Sequence, residues 1–163
     1  MPSVSATRSP ADPLDFTGKS VIVTGGTRGL GRVIAVTFLD AGADVVVCAR
    51  NAPDSPVTSS DGARSATFVA ADVREPDEVS AVVAAAVEAN GRLDVLVNNA
   101  GGAPPADSAT VSPRFNEKIL ALNLTGPMTF SQAARRAMVE PTSPSGGGVI
   151  LNISSVSGSR PNP

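Results

Sequence analysis

The chain of 163 residues contains no histidine, no tyrosine and no tryptophan. Histidine and tyrosine are among the side chains that most often exchange protons near neutral pH, and lysine is another. The sequence has only two lysines, Lys19 and Lys118. Any catalytic role therefore has to be explained with few of the usual proton-transfer groups.

Cysteine is equally scarce, since Cys48 is the only one in the sequence. A single cysteine supports neither a disulfide framework nor a thiolate metal site, so we expect no metal and a reducing, cytoplasmic setting. No apolar run approaches the length of a membrane span. The Pro/Ser-rich opening of the chain also lacks the apolar block of a signal peptide.

The charge is nearly balanced, with 13 basic and 15 acidic residues and a net charge of -2. Because there is no run of Lys or Arg, the sequence predicts binding to neither nucleic acid nor an anionic membrane. Apolar residues make up 42% of the chain, which suits one soluble domain with its own core. We expect residues 1–14 to form a flexible tail and residues 15–163 to form that domain.

Short apolar runs alternate with amphipathic stretches along most of the chain. Their periodicity predicts strands at 20–24, 44–49, 66–70, 93–97 and 149–153, and helices at 30–41, 76–90 and 114–139, the last interrupted at Gly126 and Pro127. Residues 51–64 are rich in Pro, Ser, Asp and Gly and indicate a loop. Apolar strands separated by helices indicate an α/β fold with a doubly wound parallel sheet, a Rossmann fold, truncated after the fifth strand.

A glycine-rich turn with the sequence TGGTRGLG, residues 24–31, joins the first predicted strand to the first helix. Backbone N–H groups and the helix dipole at such a junction favour a pyrophosphate, and the glycines permit a close approach of the backbone. The alternative is an ordinary strand-to-helix connection. The turn opens a unit of strand, turn, helix and strand, which favours dinucleotide binding.

The spacing of this turn, TGxxxGxG, resembles that of the short-chain dehydrogenase/reductase family. Further landmarks follow in the family's order: Asp72 and Val73, the NNAG motif at 98–101, Asn123, and the NISS motif at 152–155. The resemblance implies that a nicotinamide dinucleotide binds at the glycine-rich turn and at the segments after the strands. The residues that it implies for cofactor binding are Thr24, Gly25, Thr27, Arg28, Gly29, Leu30, Gly31, Arg50, Asp72, Val73, Asn99, Ala100 and Gly101.

The end of the second predicted strand bears on the choice between NAD and NADP. NAD-specific sites commonly place an acidic residue here to bind the adenosine ribose. This chain has Ala49 followed by Arg50, and Arg28 resembles the family's second basic determinant. Two guanidiniums on a 2′-phosphate would each contribute about 1.5–3 kcal/mol, so we predict NADP(H) rather than NAD. The alternative is that both arginines are solvated surface residues.

The resemblance also implies two catalytic residues. Ser155 would donate a hydrogen bond to the substrate carbonyl, and Asn123 would belong to a proton relay. Ser155 lies among several serines, so the alternative for it is turn structure. The family's Tyr-x-x-x-Lys pair, which transfers the proton, would fall beyond Pro163. Without a replacement acid we expect this chain alone to lose at least about a hundred-fold in hydride transfer.

Asn123 has a physical argument besides the resemblance. Pro127, four residues later, has no N–H, so the carbonyl of Asn123 loses its usual helical donor and is free to accept from water. The alternative is a proline that only kinks the helix and an asparagine that is a polar surface residue. The last predicted strand, 149–153, would be left as an apolar sheet edge, from which we expect poor solubility.

The sequence therefore predicts an NADP(H)-dependent oxidoreductase that interconverts a carbonyl and an alcohol. Two alternatives remain: a non-catalytic nucleotide-binding fragment or partner subunit of such an enzyme, and a Rossmann-like domain that binds another nucleotide. The expected partner is a small carbonyl or alcohol substrate. A complete version is expected to form a homo-oligomer, because family members are often tetramers.

Overall fold

The computed structural model describes residues 13–107, 109–140 and 143–155. Most of the expected tail, residues 1–12, and the serine-containing end, residues 156–163, lie outside the described residues. The domain boundary at residue 15 stays a prediction.

Within these described residues, five strands form one parallel sheet. They are β1 (Ser20–Thr24), β2 (Asp44–Ala49), β3 (Thr67–Ala70), β4 (Val95–Asn98) and β5 (Val149–Asn152). Their order in the sheet is β3-β2-β1-β4-β5, and every neighbouring pair is parallel. The chain thus builds outward from β1 in one direction and then returns to β4 on the other side. This confirms the doubly wound fold, and the reversal between β1 and β4 leaves a crevice at their carboxyl ends.

In the part of the chain that the structure describes, four α-helices accompany the strands. They are α1 (Gly29–Asp40), α2 (Pro76–Asn90), α3 (Pro113–Leu120) and α4 (Gly126–Val139), with a π-helical segment, Ala121–Thr125, between α3 and α4. Pro76 begins α2, and Gly91 follows its end with φ 69°, a left-handed conformation that glycine adopts without strain. The sequence predicted both boundaries of α2.

The sheet is covered on both faces. On one face Phe130 of α4 and Val79 of α2 pack with Ile22 and Leu96 from the sheet. On the other face Leu39 of α1 joins the second core cluster, which contains the neighbouring strand residues of β1 and β2. Alternate residues of β1 thus enter different clusters, which is why this strand is apolar throughout.

The long predicted helix is interrupted earlier than expected. Because Pro127 has no N–H, the preceding turn widens, and the N–H of Gly126 donates to the carbonyl of Ala121, five residues back. Gly126 also packs against backbone, since a Cβ there would lie 2.9 Å from the Val73 carbonyl oxygen. The interruption is therefore the π-helical segment before Gly126 and Pro127, and α4 begins at these residues.

The connection between β2 and β3 contains no helix. It is a loop, as predicted, and Val57 anchors it in the core with only 2% of its surface exposed. A bridge between Thr58 and Ser65 folds the loop back on itself, and the Asp40 carboxylate accepts from the backbone N–H of Ser60 at 2.6 Å. The loop is thus a defined part of the fold.

Three strands, β3, β4 and β5, have boundaries that differ slightly from those predicted. β3 begins one residue later, and β4 starts at Val95 rather than at 93. The Asp94 carboxylate accepts from the backbone N–H of Ser20 at 2.9 Å, so a side chain occupies the position where the ladder would otherwise begin. β5 ends one residue early and lies at the sheet edge, with Val149 54% exposed and Leu151 44% exposed. The poor solubility expected from this edge stays a prediction.

Candidate functional site

A cleft of about 660 Å³ opens at the carboxyl ends of β1, β2 and β4. All but one of the residues predicted to bind a cofactor line it, and the exception is Thr24. The predicted residues that it contains are Gly25, Thr27, Arg28, Gly29, Leu30, Gly31, Arg50, Asp72, Val73, Asn99, Ala100 and Gly101. The structure therefore brings together segments that are up to about 75 residues apart in the sequence, as the 75-residue separation of Thr24 and Asn99 illustrates.

The glycine-rich turn forms the central wall of this cleft. Gly25 and Gly29 have φ values of 65° and 54°, so the turn uses left-handed backbone at two positions. A Cβ on Gly31 would lie 2.3 Å from the carbonyl oxygen of Gly25, which shows how tightly the turn folds on the start of α1. The first turn of α1 has no acidic residue, so its unpaired amides and its dipole remain favourable for an anion.

Thr24, the last residue of β1, holds the segment after β4 in place. It is buried, and its hydroxyl accepts from the backbone N–H groups of Asn99 at 3.0 Å and Ala100 at 2.9 Å. The same hydroxyl donates to the carbonyl of Val97, so its one donor and two acceptor positions are in use. Thr24 thus joins the end of β1 to the end of β4 and does not line the cleft.

Asn99 completes this junction. Its side-chain amide donates to the carbonyl of Thr24 at 2.9 Å and, more weakly, to that of Gly25 at 3.4 Å. The NNAG segment is thereby fixed against the glycine-rich turn. Because both partners are backbone carbonyls, the position of Asn99 follows directly from the path of the turn.

Three arginines line the cleft, although the sequence reasoning named only two. Arg74 joins Arg28 and Arg50. The Nε of Arg74 donates to the Asp72 carboxylate at 2.9 Å, and a second guanidinium nitrogen contacts the other carboxylate oxygen. The Arg74 hydrogen bonds hold the pKa of Asp72 below its usual value, so this carboxylate stays ionised. The sequence signal that could have identified Arg74 is its position two residues after Asp72.

The acidic side chains at the cleft leave it with a surplus of positive charge. Besides Asp72, Asp54 lines the wall that follows β2, while Ala49 ends β2 without a charge. Arg28 and Arg50 are both exposed, which agrees in part with the alternative that they are solvated surface residues. They nevertheless line the same cleft as the glycine-rich turn.

A second cleft of about 500 Å³ lies beyond the NNAG segment. Asn123 lines it from the π-helical segment, and its side chain brackets the backbone of Gly102: Oδ1 accepts from the N–H at 2.8 Å and Nδ2 donates to the carbonyl at 3.0 Å. Nδ2 also donates to the carbonyl of Ile119 at 2.9 Å. The side chain of Asn123 is therefore a clamp on the loop after β4, and a water at its carbonyl stays a prediction.

Ser155 does not line either cleft. Ser154 lines the second one, and Ser155, the next residue, is exposed after β5. A polar contact that the sequence reasoning did not single out lies at the base of this cleft: Asn98 donates to the side chains of Asn152 at 2.9 Å and Ser131 at 3.1 Å. This contact ties β4 to β5 and α4, and only the pairing of the two strands brings the two asparagines together.

Within the part of the chain that the structure describes, no three His, Cys, Asp or Glu side chains are grouped as a metal site would require. No helix there combines the length and the apolar character needed to cross a bilayer. Cys48 is fully buried under the cleft, where burial raises the pKa of its thiol to about 12.

Known proteins resemble this chain over most of its length. A family model described as short chain dehydrogenase matches residues 19–163. An uncharacterized oxidoreductase of Mycobacterium tuberculosis is 36% identical over 143 residues, which are 86% of this chain and 53% of that protein. L-fucose dehydrogenase of Oryctolagus cuniculus is 37% identical, over 88% of this chain and 49% of that protein.

A crystal structure of a short-chain type dehydrogenase/reductase from Mycobacterium marinum superimposes with a TM-score of 0.81 at 30% identity. The match covers 95% of this chain and 63% of that one. The chain thus spans about half to two thirds of the length of these relatives.

Proposed function

Since the chain belongs to the short-chain dehydrogenase family, we propose that it binds NADP(H) and serves hydride transfer between this cofactor and a carbonyl or alcohol substrate. The observation that carries the proposal is the first cleft, which a tight glycine turn lines together with Arg28, Arg50 and Arg74 and where no acidic residue ends β2. A nicotinamide cofactor supplies the hydride in such a reaction. The chain's own residues bind and orient the reactants.

The described residues fit a dinucleotide phosphate. At Gly31 the turn leaves no room for a Cβ, and at Gly25 a Cβ would lie 3.1 Å from Ala100 and from the Asn99 side chain, so the turn requires small residues. The backbone N–H groups at the start of α1 would donate hydrogen bonds to the pyrophosphate oxygens there. Arg28 and Arg50 would then meet the 2′-phosphate, as guanidiniums do through charge-assisted hydrogen bonds.

The adenine would lie near Asp72 and Val73, as the family resemblance implies. Arg74 already occupies much of the Asp72 carboxylate through three donated hydrogen bonds, two from its side chain and one from its backbone N–H. Asp72 therefore has limited capacity to accept from an adenine amino group. In this proposal Arg74 shares that surface with Asp72.

The second cleft would receive the carbonyl or alcohol. Apolar side chains such as Leu124 and Met128 line it together with Asn123, which suits a substrate with an apolar body and one polar group. In this proposal Asn123 holds the loop over the reacting carbonyl. Ser155 follows Ser154 of the cleft lining, and we propose that it turns toward the bound substrate to donate to the carbonyl oxygen. The 163 residues include no tyrosine, so the group that protonates this oxygen is not a tyrosine among them.

The second candidate is the nucleotide-binding alternative, in which the chain binds NADP(H) without turning over a substrate. The two candidates share the first cleft and differ only in turnover. Measuring both binding and NADPH oxidation with simple ketones separates them.

The NADP(H) preference is tested by the double substitution Ala49→Asp and Arg50→Ala. Losing one guanidinium and gaining a carboxylate should weaken NADPH binding by about 10- to 100-fold, while NADH binding changes little. The measurement is the Kd of each cofactor by fluorescence titration. Arg64→Ala is the matched control, because Arg64 is an exposed arginine of the same loop that pairs with Asp44 at 3.1 Å. A double variant that keeps the original preference for NADPH would refute the assignment.

A further inference from the structure

The wall of the first cleft that follows β2 is formed by residues 51–54. Three of these four residues are exposed, and no helix or strand includes them. Further along the loop, Val57 is anchored by burial, and its carbonyl accepts from the N–H of Ala66 at 2.8 Å. The part of the loop that faces the cleft therefore needs another support.

Arg32 of α1 supplies that support. One of its guanidinium nitrogens donates to the carbonyl of Ser55 at 3.0 Å. The other donates to the Ser55 hydroxyl at 3.2 Å and to the carbonyl of Pro56 at 2.6 Å. Among the described residues, no other side chain donates a hydrogen bond to the segment 51–56. The planar fork of arginine makes this arrangement possible, and the single ammonium of lysine does not reproduce it.

Arg32 also directly follows Gly31, the last glycine of the turn that would hold the pyrophosphate. One side chain thus links the glycine turn to Ser55 and Pro56, the two residues that directly follow the cleft wall in the chain. Arg50 directly follows β2, is exposed and lines the same cleft. In the chain it immediately precedes the wall residues 51–54, so a link that holds this segment bears on where Arg50 lies.

We propose that Arg32 is a positioning residue for cofactor selectivity: it holds the segment 51–56 at the distance from the glycine turn that lets Arg50 meet a 2′-phosphate. This inference rests on the proposed NADP(H) function. Without Arg32, the segment 51–56 would lose conformational entropy when a ligand binds against it. This entropy loss would weaken the binding of those ligands that contact the wall. Arg32 itself donates to the loop and has no contact with the cofactor in this role.

The test uses Arg32→Lys, which keeps the charge but not the fork, and Arg32→Met, which removes both. The Kd values of NADPH, NADH and 2′,5′-ADP are measured for each variant. We expect NADPH and 2′,5′-ADP to bind about ten-fold more weakly and NADH to change less, so the NADH-to-NADPH ratio of Kd falls. Amide hydrogen exchange of the cofactor-free protein should speed up at residues 51–56 in both variants.

Asp40→Ala is the matched control, because Asp40 clamps the same loop at Ser60, away from the cleft. It should lower the melting temperature and leave the Kd ratio unchanged. Unchanged ratios in both Arg32 variants, or unchanged exchange at 51–56, would overturn the inference while leaving the proposed function in place. Wild-type protein with no preference for NADPH would overturn both.

Discussion

Gly31 shows how the space at a single position restricts which residue the glycine-rich turn can hold there. A Cβ there would lie 2.3 Å from the Gly25 oxygen and 2.4 Å from the Asn99 side-chain nitrogen. Neither neighbour is the free end of a flexible side chain, since the first is backbone and the second is held on the Thr24 carbonyl. The sequence pattern identified this glycine, and the distances explain why it is required.

The substitution Gly31→Ala should therefore force the turn open. We expect a loss of about 1–3 kcal/mol in unfolding free energy, as for overpacked sites, and at least a ten-fold weaker NADPH affinity. Urea denaturation and cofactor titration measure the two effects. Val33→Ala is the control, because Val33 is 62% exposed on the same helix. Wild-type affinity in Gly31→Ala would show that the turn does not contact the cofactor.

Arg74 and Thr24 show where residue-level prediction from the sequence stops. The family pattern named Thr24, but its buried hydroxyl serves the NNAG backbone. The sequence did not identify Arg74, because its hydrogen bond to Asp72 forms only when the turn after β3 folds back and brings the two side chains together. Such contacts depend on side-chain direction, which spacing alone does not specify.

At the scale of elements, the π-helical segment decides where Asn123 points. The wide turn before Pro127 brings the Asn123 amide onto the backbone of Gly102, which it holds by one accepted and one donated hydrogen bond. The sequence predicted an interruption from the proline, but not that the helix would widen upstream of it. Next to the widened turn, Gly126 packs so closely on the Val73 carbonyl that a Cβ there would lie 2.9 Å from its oxygen.

Asn123→Ala should release the loop after β4. Loss of these hydrogen bonds should cost about 1–2 kcal/mol of stability, at the lower end of the usual range because the residue is exposed. Thermal unfolding measures the loss, and hydrogen exchange should increase at Gly102. Asn116→Ala on α3 is a matched control, since Asn116 is also an exposed asparagine of a helix. Equal melting temperatures for the two variants would contradict the clamp.

At the scale of the whole molecule, the two clefts and the ion-paired Asp94 lie at opposite ends of the sheet. The clefts lie at the carboxyl ends of the strands, whereas Asp94 lies at the amino end of β4. Burial alone would raise the pKa of Asp94, but hydrogen bonds from Arg92 and the Ser20 N–H, with the nearby charge of Lys19, lower it below its ordinary value of 3.8. Alternation of apolar segments predicted this architecture well, but it did not reveal which charged residues meet at each end.

The lowered pKa of Asp94 gives stability a definite dependence on pH. A carboxylate whose pKa is depressed by folding contributes its stabilisation above its unfolded value, near 3.8, and loses it as the pH falls through the folded value. Asp94→Asn should therefore lower the unfolding free energy at pH 7 and flatten its decline below about pH 4. Denaturation across pH measures both, with Asp44→Asn as an exposed control. NADPH affinity should not change, and an unaltered acid profile in Asp94→Asn would contradict the assignment.

Ala100 and Gly101 line both clefts, so a two-residue partition separates them. Occupants of the two compartments would therefore meet across this partition, and the free energies of their association would be linked. If one ligand changes the affinity of the protein for the other by some factor, the second ligand must change the affinity for the first by the same factor. A ligand in one cleft would therefore change the affinity of the other cleft for its ligand, whichever of the two binds first.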